Sequence, residues 1–232
     1  MVTIPVALAW SGGKDSSLAL AALQADPKIE VVALVTTVTG NYDRISMHGV
    51  RRSILEAQVA AIGIPLIEAT IPPACSNELY EEAFAGTLEL LRRQHPGLRH
   101  LAFGDLFLAD VRAYRERLLT PLGWEPIFPL WGQNTARLGR RFIERDFRAI
   151  LTCVDTTQLD PDYSGREFDS SLLDDLPDEV DPCGEKGEFH TCVYAGPIFR
   201  RPLALQPGKR VRRDHRFEYC DLTLASPELS AV

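Results

Sequence analysis

Six consecutive residues near the N-terminus, Ser11-Gly12-Gly13-Lys14-Asp15-Ser16, have the side chains and the backbone freedom needed to hold an anion. An apolar run over residues 6–10 leads into them, and Leu18, Ala19, Leu20, Ala21, Ala22 and Leu23 follow. Strand, glycine loop and helix N-terminus, in that order, aim backbone N–H groups and the positive end of a helix dipole at one spot, which suits a phosphate. Gly12 and Gly13 let the chain turn sharply with no Cβ in the anion's way. Ser11, Ser16 and Ser17 add hydroxyls, and Lys14 adds a point charge. The loop is not a Walker A motif, because Asp15 follows Gly13-Lys14 where that motif needs Ser or Thr. The plain alternative is a strand-to-helix turn capped by Ser11 or Asp15. A second cluster, Cys183-Gly184-Glu185-Lys186-Gly187-Glu188-Phe189-His190-Thr191, sets two carboxylates and an imidazole around a glycine-bracketed turn. Such a set can hold Mg2+, bind an ammonium group or move protons. It can equally be a hairpin turn with solvated charges.

These groups need a scaffold, and hydrophobic periodicity predicts one. Strands and helices alternate, as in a parallel sheet covered by helices on both faces. Residues 29–38 form an apolar, β-branched run read as the second strand. It ends in Thr36, Thr37 and Thr39, where a doubly wound sheet puts its ligand crevice. Met47, Val50, Ile54, Ala57 (or Gln58) and Ala61 give residues 46–62 a helical period, which Gly63 stops. A third strand over 65–71 and a helix over 77–94 follow, the latter with Leu79, Ala83, Leu88 and Leu91 inside. Residues 100–107 read as a fourth strand running into Gly104-Asp105, so Asp105 lies where a ligand is expected. A helix around 110–119 and a proline-bearing edge strand over 124–131 complete a first domain, residues 1–132. The second, residues 133–232, opens on a basic helix over 135–148 with Leu138, Phe142 and Ile143 as its apolar side. A strand at 149–154, an acidic loop over 160–182 with a short helix at 170–176, and strands at 189–194 and 217–224 follow. Phe103, Phe107 and Tyr114 read as core. The basic stretch over 209–216 and Arg137, Arg140, Arg141, Arg145 and Arg148 read as solvated.

Composition narrows the class. The 232 residues carry a net charge of −7, with 45% hydrophobic and 25% charged residues, as in an ordinary globular protein. That charge implies no nucleic-acid surface. No apolar run reaches the ~20 residues of a membrane span, and the N-terminus lacks the pattern of a secretory signal. Five cysteines, odd in number and without a C-x-x-C pair, indicate reduced thiols in a cytoplasmic protein and argue against a zinc or iron–sulfur site.

The hexapeptide at 11–16 resembles the pyrophosphate loop of the N-type ATP pyrophosphatases. Together with Gly184-Glu185-Lys186-Gly187-Glu188-Phe189-His190-Thr191, it resembles the diphthine–ammonia ligase family, the ATP-binding diphthamide-synthase domain. The similarity extends to Met47-His48, Gly63-Ile64-Pro65-Leu66, Gly104-Asp105, Pro129-Leu130-Trp131-Gly132, residues 160–169 and Pro197-Ile198-Phe199. The resemblance implies an α/β fold: a doubly wound five-stranded parallel sheet of the adenine nucleotide alpha hydrolase type, with a second, smaller α/β domain. It implies an ATP-dependent, amide-forming ligase. A carboxylate would attack the α-phosphate of ATP, and ammonia would displace AMP from the acyl-adenylate. Ser11, Gly12, Gly13, Lys14 and Ser16 would cradle pyrophosphate, and Asp15 would hold Mg2+ or cap the helix. Val35, Thr36 and Thr37 would line an adenine pocket, with His48 and Arg51 facing the crevice. Lys14, Asp15, Asp105, Glu185, Glu188 and His190 would form the catalytic set, the last three binding ammonium or the acyl substrate. The resemblance leaves the acceptor open between diphthine and, for a bacterial source, another carboxylic acid. Expected partners are ATP, ammonia and the carboxylate, with a homodimer admitted as the assembly. An RNA-thiolating pyrophosphatase and a non-catalytic ATP-sensing module are the alternatives.

Overall fold

A computed structural model describes residues 3–39, 49–72 and 75–225. Its first sheet contains β1 (Ile4–Ala9), β2 (Ile29–Thr39), β3 (Leu66–Ile71), β4 (His100–Ala102) and β5 (Glu125–Ile127), all parallel, in the order β3-β2-β1-β4-β5. Alternation along the strands sends side chains to two cores. Val6, Leu8 and Leu34 pack under α1 (Lys14–Gln24) and α2 (Arg52–Ile62), against Leu18, Leu20, Ile54 and Leu55. Ala7, Ala33 and Val35 face α3 (Asn77–Gln94) and α4 (Ala109–Leu119), against Phe84, Leu88, Leu91 and Leu119. The chain winds outward from β1 to β3 and then crosses to β4. The strand order therefore reverses between β1 and β4, which opens a crevice at their carboxyl ends.

The doubly wound parallel sheet is as expected, with local differences. The helix expected from residue 46 starts at Arg52; Gly49 and Val50 lie outside it, and 46–48 are outside the described residues. Leu79, expected inside, is half exposed, and the buried side of α3 is Phe84, Thr87, Leu88 and Leu91. β4 and β5 are only three residues each, shorter than the runs over 100–107 and 124–131. Phe107 is exposed, not core, whereas Phe103 is buried.

The second sheet is antiparallel, in the order β7-β6-β9-β8, from β6 (Arg148–Asp155), β7 (Phe189–Ala195), β8 (Leu205–Arg213) and β9 (Phe217–Leu224). Two helices accompany it, α5 (Thr135–Glu144) and α6 (Ser170–Asp175). Asn134 caps α5 by accepting from Arg137 N at 3.0 Å. Leu138 and Phe142 face inward, while Arg137, Arg140, Arg141 and Arg145 face solvent, as read from the sequence. β8 takes in much of the basic stretch; its residues are almost all exposed, so no apolar alternation announces it. Asp214 and His215, both at positive φ, turn it into β9. One continuous core joins the two sheets: Leu8 and Leu18 of the first share it with Phe142, Ile150, Phe168, Phe189 and Val193 of the second.

Candidate active site

The glycine loop lies at the switch point between β1 and β4. Gly13 is the N-cap residue of α1; neither Ser11 nor Asp15 caps that helix, and its first N–H, that of Lys14, donates to Thr191 Oγ1 at 3.0 Å. The hydroxyls instead brace the loop. Ser16 Oγ and Ser17 Oγ donate to Gly13 O at 3.0 and 2.9 Å, and Ser11 Oγ accepts from Gly13 N at 3.3 Å. Gly12 sits at φ 76°, a left-handed conformation that favours glycine. A Cβ there would also lie 2.5 Å from Gln58 Oε1. Gly104, leaving β4, rests on the first turn of α1: a Cβ on it would come within 2.8 Å of the Asp15 carbonyl carbon.

The loop's charge is concentrated in Lys14, which is 2% exposed. Its Nζ lies 2.6 Å from Asp15 Oδ1 and 3.9 Å from Glu185 Oε1. Burial acts to lower the Lys14 pKa, but Asp15, Cys183 and Glu185 together outweigh it and hold the ammonium above its ordinary value. Burial, reinforced by Asp15, pushes the Glu185 carboxyl well above the usual carboxylate range, although Lys14 pulls the other way. Asp105 is raised by burial too, with Arg115 opposing; Arg115 Nε lies 3.6 Å from Asp105 Oδ2. Neither of those buried atoms has a hydrogen-bond partner among the described residues. Burial and the nearby Lys14 lower the His190 pKa to about 4, so its imidazole is neutral at neutral pH. The Cys183 thiol, pushed up to about 12 by burial, donates to Thr135 O at 3.3 Å.

The loop residues Ser11, Gly12, Gly13, Lys14, Asp15 and Ser16 thus meet Glu185, Asp105 and His190 around the start of α1. Glu188 does not join them. It is 1% exposed, and its two carboxylate oxygens accept from Asp181 N and Lys186 N, both at 2.8 Å. It holds the turn that presents Glu185. Val35 O accepts from Trp10 N at 2.7 Å, which closes the β1–β2 ladder. Thr36 and Thr37 lie beyond that ladder, paired only on the β3 side with Glu68 and Ala69. They form part of the crevice edge. Arg51, expected to face the crevice, reaches Asp221 on β9 with two hydrogen bonds of 3.0 and 2.5 Å. His48 lies outside the described residues. Gln58, Thr191 and Arg115 were not assigned roles by sequence reasoning. The signal for Gln58 was present: a polar residue inside the apolar stripe of Ile54, Leu55, Ala61 and Ile62.

Among the described residues, no group of three or more His, Cys, Asp or Glu side chains could hold a metal ion. No helix among them is long and apolar enough to cross a membrane. A parallel five-stranded sheet with a glycine loop at its switch point, joined to an antiparallel sheet, defines a doubly wound α/β protein with a second, smaller domain. Family comparison makes this more specific. Residues 4–126 match the diphthamide synthase N-terminal domain, and residues 134–225 match the diphthamide synthase C-terminal domain. The chain belongs to the diphthamide synthase family. It is similar to the diphthine–ammonia ligase of Schizosaccharomyces pombe (strain 972 / ATCC 24843), at 24% identity over 211 residues. That match covers 84% of this chain and 35% of the relative, so the chain spans about a third of that protein's length.

Proposed function

We propose that this protein is an ATP-dependent ligase that joins ammonia to a carboxylate. The observation that supports it best is the buried Lys14 ammonium at the N-terminus of α1, at the sheet's switch point. A triphosphate tail supplies the negative charge that such a site favours. The acceptor carboxylate oxygen bonds to the α-phosphorus as the bond to the bridging α–β oxygen breaks, and pyrophosphate leaves. The ammonia nitrogen then bonds to the acyl carbon, its surplus proton passes to a base, and AMP departs with the C–O electron pair. Lys14 and the loop amides hold the pyrophosphate half, and the overhang of β2 at Val35, Thr36 and Thr37 borders the base. Glu185, whose raised pKa makes its ionised form a stronger base than an ordinary carboxylate, is suited to taking up ammonia's surplus proton. His190, kept neutral by burial and by Lys14, holds a proton too weakly to be that base and is suited to contacting the acyl substrate.

Positioning rather than acid–base strength carries most of such a reaction, and alignment alone can supply about 7–11 kcal/mol. Mg2+ fits as an ion that arrives with the nucleotide, since it takes one or two carboxylates plus phosphate oxygens. Asp15 and the unpartnered Asp105 Oδ2 are the residues that would hold it, and it would supply neutralisation of phosphate charge. The first unit, residues 1–132, carries the nucleotide in this reading, and residues 133–232 carry the acceptor side. Free thiols, four of them buried, suit a cytoplasmic setting. The test is incubation with ATP, Mg2+, ammonium and a panel of carboxylic acids, diphthine-bearing protein included. AMP and pyrophosphate formed only when acid and ammonium are both present support the ligase. Release of ADP would overturn it.

A further inference from the structure

We propose that the second sheet is a working part of the phosphate cradle, with Gln58 and Thr191 as its positioning residues. The inference rests on the reading of the glycine loop as the seat of the triphosphate tail. Gly12 O accepts twice, from Val193 N of β7 at 2.9 Å and from Gln58 Nε2 at 3.0 Å. Gln58 Nε2 also donates to Val193 O at 2.7 Å, and Gln58 Oε1 accepts from Trp10 Nε1 at 3.3 Å. A single carboxamide thereby ties together the end of β1, the loop and β7. Gln58 is fully buried, where an unused polar atom would be costly, and its protons and its oxygen are all engaged. Thr191, two residues before Val193, adds an independent tie: its Oγ1 accepts from Lys14 N at 3.0 Å. Gly13 is hemmed in from the same side, since a Cβ there would lie 3.2 Å from Thr191 O. The first sheet alone therefore does not define the shape of the loop. The strand that follows the Glu185 turn defines it too, so the nucleotide side and the acceptor side share one element. An anion loop binds by preorganised backbone donors, and small displacements of those donors weaken it.

Calorimetric titration of the full chain with AMP and with a non-hydrolysable α,β-methylene analogue of ATP, in Mg2+, tests this. Thr191→Val removes the acceptor for Lys14 N at nearly constant volume, and Thr191→Ser restores it. The expected result is that Thr191→Val weakens analogue binding by about tenfold, the equivalent of one hydrogen bond. AMP affinity should stay within about twofold, and Thr191→Ser should recover the analogue affinity. Gln58→Met should show the same selective loss if it folds; if it does not, the threonine pair decides. Wild-type analogue affinity in Thr191→Val, or an equal loss of both ligands, would overturn the proposal. If instead Lys14→Met leaves the analogue-to-AMP ratio of the wild type unchanged, the triphosphate reading itself fails, and this inference with it.

Discussion

Replacing Lys14 by Met removes one charge while keeping a chain of similar length, and the structure separates two consequences. The first concerns the fold. Cutting one half of a fully buried ion pair costs about 3–5 kcal/mol, because a charge is left behind in dry protein. Asp15, however, is not in dry protein: its side chain is 32% exposed, against 2% for Lys14. Water can re-solvate it, and the burial penalty on the Lys14 ammonium disappears at the same time. The more distant Glu185 contact, at 3.9 Å, is to a carboxyl whose surroundings already favour its neutral form. The net change in stability should therefore be on the order of 1 kcal/mol or less. The second consequence concerns chemistry. A preorganised donor aimed at charge in a water-poor site is worth roughly 10²–10³ in rate, or about 3–4 kcal/mol. Pyrophosphate release should thus collapse by at least two orders of magnitude in a protein whose urea midpoint barely moves. Turnover within about threefold of wild type would refute the placement of the tail at this loop.

Three further outcomes follow. His190 has its pKa lowered to about 4 in the fold. The unfolded chain therefore binds more protons below its usual value of about 6.5, and stability should fall between pH 6.5 and 4 by at most about 3 kcal/mol. Urea titrations across that window should show a shallower slope in His190→Gln, and an unchanged slope would disprove the assignment. Gly104→Ala would bring a Cβ within 2.8 Å of the Asp15 backbone, so the β4 exit or the first turn of α1 has to move. That should cost about 1–3 kcal/mol by thermal unfolding and slow nucleotide turnover; wild-type values for both would show that the contact is soft. Glu188→Gln replaces one of two occupied acceptors by a donor facing a backbone N–H. It should destabilise by about 2 kcal/mol and loosen the Glu185 turn. A stable variant that loses only amide formation would return Glu188 to the chemistry.

The sequence shows the elements whose local pattern matches their tertiary role. The β1-to-α1 loop is of this kind, because apolar strand, glycines and apolar helix are all written locally. So is α3, whose observed limits, Asn77–Gln94, coincide with the expected ones because Ser76 caps it and Pro96-Gly97 breaks it. β8 is hidden for the opposite reason. It is an outer strand with one neighbour and solvent around most of its side chains, so nothing selects alternation, and its charges guard an open edge. Glu188 shows the limit most clearly. Its spacing from Glu185 and His190 is that of a reactive set, yet its oxygens bind backbone N–H groups of its own turn. Residue type and spacing do not distinguish a carboxylate that meets a substrate from one that folds a loop. Burial and partner count do.

That distinction also explains why the site needs both sheets. A buried ammonium without counter-charge would be expelled or deprotonated. Asp15, its neighbour in the chain, supplies the close counter-charge, and Glu185 adds a carboxyl at 3.9 Å from a turn that Glu188 and Asp181 hold in shape. The 2.6 Å contact with Asp15 keeps Lys14 charged. In the proposed reading an arriving phosphate brings stronger anionic oxygens to the same ammonium, and the raised pKa of Glu185 lets that group meet added negative charge by keeping a proton. The cation is thus held ready by groups that can yield to the ligand without leaving a bare charge in the protein interior. One of those groups stands on the turn that the acceptor side of the reaction would use, so charge at the triphosphate and protonation at the acceptor are linked through a single carboxyl.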